Sequence, residues 1–440
     1  RVYMVANKGN DVDRTRLVLF NLESKESELV DVDPKKEVDF GGLLFSEATD
    51  ELIATFYVGD RLRIYPKNEE FARNLTFLQK ELPEGDLALQ SVTKDDRLYL
   101  VAVRSDVDPG SVYLFNRETG KVEKLYESRP ELPKENLAAM RPIRYTARDG
   151  REIPAYLTTP KGVEQRNLPV VIMPHGGPWA RDIWGYNPYA QFFANRGYAV
   201  LQPNFRGSEG YGKDFLNAGN KQWGTGAMQH DITDGVKYLI DQGIADPKRV
   251  GIFGGSYGGY ATLAGLAFTP DLYAAGISFV GPSNIVTLIK TIPPYWLPIK
   301  KSFMLRVGNP DNPEDLKRLR EQSPLFSAKQ IKAPLLVIQG ANDPRVKQAE
   351  SDQIVVALRD LGREVKYLVA PNEGHGFRGE TNQLAVTAAI ERFFAPYLGG
   401  RYQESMSEEV KKQLQALTVD VSTVKAPESV SGSRRREGGG

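Results

Sequence analysis

The sequence predicts a chain in two parts. Residues 1–130 read as an all-β region of propeller type. Residues 143–400 read as an α/β domain, a mostly parallel sheet with helices on both faces. Three observations predict this. Short β-rich runs in the first part repeat weakly, about every 45 to 50 residues. Strand and helix patterns alternate in the second part, as a parallel sheet requires. One apolar run, Val250–Phe253, ends in Gly254-Gly255-Ser256-Tyr257-Gly258-Gly259, and a small-residue, helix-prone segment follows at Ala261–Phe268.

In the first part the runs are Arg16–Phe20, Glu51–Tyr57, Arg61–Tyr65, Arg97–Val103 and Ser111–Phe115, separated by turn residues. Leu19-Phe20-Asn21-Leu22-Glu23 resembles Leu114-Phe115-Asn116-Arg117-Glu118, with Ile64-Tyr65 near the midpoint. The period suits a four-stranded propeller blade, and a plain β-meander is the alternative. Only about two or three blades fit, so the region reads as the C-terminal remainder of a larger propeller.

Residues 131–142 form a linker rich in proline and charge. Ile143–Ala147 and Ile153–Thr158 predict a hairpin around Asp149-Gly150. Strands follow at Val170–Met173, Tyr198–Gln202, Val250–Phe253, Ala274–Val280, Leu335–Gln339 and Val365–Val369. Helices interleave at Tyr189–Asn195, Met228–Gln242, Gln348–Leu361 and Leu384–Tyr397. Pro282–Arg320 breaks the alternation, and its run Pro293-Pro294-Tyr295-Trp296-Leu297-Pro298 argues against regular helix or strand. That segment reads as an excursion over the active-site face or, equally, as a plain surface loop. Residues 401–440 read as a disordered tail in which Ser407–Leu417 is a candidate amphipathic helix. Within the tail, Gly432-Ser433-Arg434-Arg435-Arg436 reads as solvated chain.

Composition excludes several classes of function. With 440 residues, 41% hydrophobic and 26% charged, the chain has the make-up of a globular protein with a large core. A net charge of +1 supplies no overall field toward nucleic acid or an anionic membrane. No apolar run approaches the roughly 20 residues that span a bilayer. The absence of cysteine excludes disulfides, thiol catalysis and cysteine-ligated metals. Arg1 stands inside a strand-like run with no signal peptide in view, so the native N-terminus is expected upstream. Cytoplasmic and exported locations, and a monomer or a homo-oligomer, are equally compatible with the sequence.

The glycine cluster carries the chemistry. Gly254-x-Ser256-x-Gly258 between a strand and a helix fits a nucleophile elbow, a tight turn that lifts the serine hydroxyl clear of the sheet. A serine attacks well only when a base removes its proton. The chain has three histidines, His175, His230 and His375. His230 falls at the start of a helix and reads as a surface or packing residue. The order nucleophile, acid, base selects His375, the one histidine after Ser256, on a loop flanked by Gly374 and Gly376. Between them, Gly340-Ala341-Asn342-Asp343-Pro344-Arg345-Val346 follows a strand, which makes Asp343 the candidate acid. Asp352 and Asp360 fall in a helix pattern and read as solvent face. The oxyanion formed on attack is expected to meet the N–H of Tyr257 and a second donor, Gly176 or His175, from His175-Gly176-Gly177-Pro178. The His175 ring serves equally well as a support for that loop.

These residues resemble the prolyl oligopeptidase family of serine peptidases, in its acylaminoacyl-peptidase-like and dipeptidyl-peptidase-like branch. The matching segments are Tyr145–Gly150, His175–Pro178, Asn195–Val200, Asn204–Ser208, Gly254–Tyr260, Asp343–Val346 and Glu373–Phe377. The resemblance implies an α/β hydrolase capped by a β-propeller, with the active site between them. It implies cleavage of short peptides through an acyl-enzyme, with no metal and no organic cofactor. It implies that Tyr257 and Val346 line the pocket for the side chain before the scissile bond. It places Arg206 facing the cavity, although a salt bridge is an equal reading of that residue. A carboxylesterase with the same triad and a non-catalytic propeller scaffold are the competing expectations.

Overall fold

The computed structural model describes residues 1–427. The first part holds three antiparallel sheets in chain order. The first contains Val2–Ala6, Arg16–Phe20 and Ser27–Asp31; the second contains Gly42–Phe45, Leu52–Val58 and Leu62–Pro66. The third has four strands, Asp86–Val92, Leu98–Ser105, Asp108–Asn116 and Lys121–Glu127. The Leu-Phe-Asn repeat has a local cause. Asn21 Oδ1 accepts the N–H groups of Glu23 and Ser24, and Asn116 Oδ1 those of Glu118 and Thr119, so each asparagine shapes the same hairpin turn.

This region is not all-β. Glu69–Glu81 is a helix, capped by Asn68 through the N–H of Phe71, with Glu69 and Glu70 in its first turn. Phe71, Leu75 and Leu78, at helical spacing, bury its inner face against Leu87, Tyr99 and Phe115 of the third sheet.

The second part is organised on one eight-stranded sheet. Across it run Met140–Thr146, Glu152–Thr158, Ala199–Pro203, Leu168–Ile172, Ala245–Gly255, Ala275–Phe279, Leu335–Gly340 and Val365–Ala370. The first two pairings are antiparallel and the remainder parallel. Helices cover both faces and bury separate apolar clusters on each. All the parallel strands end toward one rim, where α/β sheets place their ligands. The linker expected over 131–142 is shortened, because the outermost strand already begins at Met140. Pro142 is tolerated there because an edge strand can spare a donor.

Two further stretches differ from expectation. The Pro282–Arg320 interruption is largely helical, at Ile285–Lys290, Leu297–Val307 and Pro313–Glu321. Pro298 stands in the first turn of its helix, where the missing N–H costs nothing. Residues 401–427 are packed rather than a loose tail. The helix Glu408–Leu417 lies against the helix Glu380–Leu398 through Val410, Leu414 and the buried Leu417. Thr418 then bridges Leu368, and the Val419 N–H donates to Tyr367 O at 2.9 Å. The Gly432–Arg436 stretch lies outside the described residues.

Candidate active site

The strand Ala245–Gly255 delivers Ser256 to the rim of the sheet, and the helix Tyr257–Phe268 leaves from it. Ser256 has φ 57°, a left-handed conformation that a serine adopts only under constraint. The constraint is close packing of glycines. A Cβ on Gly258 would lie 2.1 Å from Pro174 O, and one on Gly254 would lie 2.4 Å from Gly258 O. Both approaches exclude any side chain.

Three loops meet at this serine. His375 Nε2 lies 2.9 Å from Ser256 Oγ, within reach of the hydroxyl proton. On the far side of the ring, Nδ1 lies 2.7 Å from Asp343 Oδ2. The other oxygen, Oδ1, accepts the N–H groups of Arg345 at 2.8 Å and Val346 at 3.0 Å. The carboxylate is therefore held by its own turn, and that turn fixes the tautomer of His375 with Nδ1 protonated. The acid and base loops touch through backbone. A Cβ on Gly340 would meet Gly374 O at 2.2 Å, and Asn342 N–H donates to Glu373 O at 2.9 Å. Asp343 is fully shielded at 2% exposure, so its pairing with His375 is little screened by solvent.

The candidate oxyanion donors lie beside the elbow. Gly176 is pressed against the elbow, where its Cβ would stand 3.4 Å from Ser256 Cβ. Among the described residues the N–H groups of Gly176 and Tyr257 have no acceptor in the protein. The His175 ring takes the supporting role. Nδ1 is 2.8 Å from Gly176 O, which can only accept, so Nδ1 carries the proton. Nε2 faces Ser208 Oγ at 2.9 Å, and the ring stacks on Phe205 with centroids 4.4 Å apart. Burial holds this imidazole below its usual pKa, which keeps the ring neutral.

Arg206 does not face the cavity. Its guanidinium is spent on Asp231, at 2.9 and 2.7 Å, and on Asp149, at 2.5 and 2.9 Å. Its hydrogen bonds pull the half-exposed Asp149 down to about 2, whereas burial pushes Asp231 up despite the same partner. Arg206 thus locks the Asp149 turn to the helix Ala227–Asp241 and is not available to a substrate. Val346 and Tyr257 lie buried in one apolar cluster. Tyr257 packs on Trp223 at 4.7 Å, and Phe303, from the helical insertion, reaches Trp223 at 6.3 Å and Trp179 at 5.4 Å. This aromatic wall escaped sequence reading because its members lie on four distant segments.

A buried acid, an oriented imidazole and a strained serine beside two free N–H groups have the geometry of a serine acyl-transfer site. Known proteins agree in kind. Residues 184–401 match the model of the prolyl oligopeptidase family. Dipeptidyl aminopeptidase BIII of Pseudoxanthomonas mexicana is 42% identical over 397 residues, covering 88% of this chain and 57% of that protein. Dipeptidyl peptidase family member 6 of Caenorhabditis elegans is 37% identical over 424 residues, covering 91% of this chain and 57% of that protein. A puromycin-hydrolysing peptidase of Mycobacterium tuberculosis superposes with a TM-score of 0.77 at 27% identity, over 91% of this chain and 60% of that one. The chain therefore spans a little over half the length of these relatives. It belongs to the prolyl oligopeptidase family, with an α/β hydrolase preceded by propeller blades.

Proposed function

We propose that the protein is a serine peptidase that releases short N-terminal pieces, of dipeptidyl rather than acylaminoacyl type, from small peptides. The observation that carries the chemistry is the relay from Ser256 Oγ through His375 to Asp343, at 2.9 and 2.7 Å. Ser256 attacks the scissile carbonyl as its proton passes to His375 Nε2. The carbonyl oxygen becomes negative and takes hydrogen bonds from Gly176 and Tyr257. Asp343 stabilises the imidazolium. Nε2 then gives the proton to the departing amine, leaving an acyl-Ser256 ester. Water, deprotonated by the same nitrogen, hydrolyses the ester and restores the serine. No step needs a metal.

The dipeptidyl assignment is supported by the names of the relatives at 42% and 37% identity, against 31% for the acylamino-acid-releasing enzyme of Arabidopsis thaliana. The test is hydrolysis of dipeptidyl anilides, acyl-aminoacyl anilides and simple acyl esters, with fluorophosphonate labelling alongside. The expected result is labelling that disappears in Ser256→Ala, with fastest turnover on dipeptidyl anilides. Ester hydrolysis without amide turnover would make the protein an esterase. Labelling that survives Ser256→Ala would remove the nucleophile assignment.

A further inference from the structure

Behind the acid loop lies a buried carboxylate that the chemistry above does not use. Glu350 stands in the first turn of the helix Gln348–Asp360 and is 2% exposed. Its Oε2 accepts the N–H groups of Ser283 at 3.0 Å and Asn284 at 2.9 Å, and Gln353 Nε2 at 2.8 Å. Its Oε1 accepts the Thr287 hydroxyl. All four donors are neutral. Three of them belong to one short stretch, the root of the helical insertion between the strands Ala275–Phe279 and Leu335–Gly340.

The root is closed on itself. Leu325 N–H donates to Ser283 O at 3.0 Å, and Ile285 N–H to Ser323 Oγ at 2.9 Å, so the two ends of the insertion are stapled together. Ser283 Oγ donates to the backbone carbonyl of Glu350 at 2.6 Å. The insertion is thus anchored to residue 350 by both side chain and main chain. From this root the insertion carries Phe303 to the aromatic wall against Trp223, which packs on Tyr257.

The same helix turn also holds the acid loop. Ser351 Oγ donates to Gln339 Oε1 at 2.8 Å. That bond leaves the Gln339 amide to donate to Gly340 O at 3.0 Å and Val346 O at 2.9 Å, clasping the two ends of the Asp343 loop. Glu350 N–H donates to Lys347 O at 2.8 Å. Residues 350 and 351 therefore face two ways. One side grips the insertion that carries Phe303; the other grips the loop that carries the acid and Val346.

We propose that Glu350 is a positioning residue that keeps the aromatic pocket wall in register with Ser256, His375 and Asp343. The inference rests on the peptidase reading. Its role is in substrate binding: the insertion root moves when the carboxylate is lost, while the relay at Ser256 keeps its own contacts. Glutamine can replace glutamate here. Its carbonyl oxygen serves Ser283, Asn284 and Gln353, and its amide donates to Thr287 Oγ1, whose hydrogen then turns from residue 350 to Asn284 O.

The test compares Glu350→Leu and Glu350→Gln. Glu350→Leu is expected to raise KM for anilides with phenylalanine before the scissile bond at least about tenfold, while inactivation by diisopropyl fluorophosphate stays within about threefold. Glu350→Gln is expected to stay within about threefold on both measures. An unchanged KM in the leucine variant overturns the proposal. So does a glutamine variant as damaged as the leucine one, or inactivation by diisopropyl fluorophosphate that falls in step with amide turnover. Should the leucine variant not fold, Thr287→Val and Ser283→Ala, which remove donors from the insertion side alone, are expected to raise KM in the same direction. Unchanged KM in both is then the overturning result. Amide hydrogen exchange reads the anchoring without any activity: exchange over 285–307 is expected to rise in these variants and that over 257–268 to hold. If the wild type neither labels nor cleaves, the peptidase reading fails, and the exchange result alone decides whether Glu350 holds the insertion. Unchanged exchange over 285–307 overturns it.

Discussion

Val2–Ala6 and Val365–Ala370 are both outermost strands, and the molecule treats them oppositely. Val365–Ala370 is closed off. The segment Thr418–Val419 bridges it from outside, and helices pack on both faces. Val2–Ala6 pairs only with Arg16–Phe20 among the described residues, and Val2, Tyr3, Met4 and Val5 are 39 to 54% exposed. The hydrolase part is sealed by its own chain. The blades draw part of their definition from polar contacts with the hydrolase: Arg144 with Asp60 at 2.7 Å, Arg181 with the carbonyls of Val58 and Gly59, and Asp214 N–H with Asp13. Chemistry needs close placement and sits where burial determines every loop, whereas the blades meet the hydrolase through polar contacts at its surface.

Substitutions test that contrast, and the largest effect belongs to the sealed part. Ser256→Ala is expected to lower kcat about 10⁶-fold with no loss of thermal stability. Residual turnover well above that level would count against Ser256 as the nucleophile. Next comes Arg206→Met, which strands the buried Asp231. Denaturant titration is expected to show a loss of about 3–5 kcal/mol, with KM for small anilides unchanged.

Glu350→Gln sharpens the contrast through pH. Burial pushes the Glu350 carboxyl up to about 7. Because folding raises this group, the native chain holds the proton more tightly than the unfolded one. That share of stability is full below the ordinary glutamate range and is lost as pH rises through about 7, amounting to roughly 3 kcal/mol. The glutamine variant lacks this dependence. Its stability relative to wild type is therefore expected to be greater at pH 8 than at pH 5. A difference independent of pH would mean that the carboxylate is not desolvated in solution. The smallest effect is expected at the junction. Arg144 and Asp60 are both partly exposed, so Arg144→Ala should cost no more than about 1 kcal/mol. A loss matching that of Arg206→Met would erase the distinction between the two parts.

What could be read from sequence follows the same division. That Ser256, Asp343 and His375 come together was legible because elbow glycines, chain order and post-strand loops are local marks. The blade repeat was legible because an asparagine turn recurs at Asn21 and Asn116. Glu350 was not, since a glutamate in an amphipathic helix reads as solvent face, and its burial depends on Ser283, far away in sequence. Arg206 was ambiguous for the same reason: Asp231 lies one turn into a different helix. The helix Glu69–Glu81 carried its own signals, a capping asparagine and Phe71, Leu75 and Leu78 at helical spacing, but the surrounding β pattern masked them. The packed segment 408–424 was hidden because its few apolar residues gain meaning only against a sheet edge.

The turn at Asp343 has an evolutionary consequence. One oxygen of that carboxylate is held by the N–H of Val346, whose side chain belongs to the buried cluster around Tyr257. A side-chain change at position 346 leaves that N–H in place, so the apolar cluster can be repacked by mutation while the acid keeps its donor. Only proline, which has no N–H, would take the donor away.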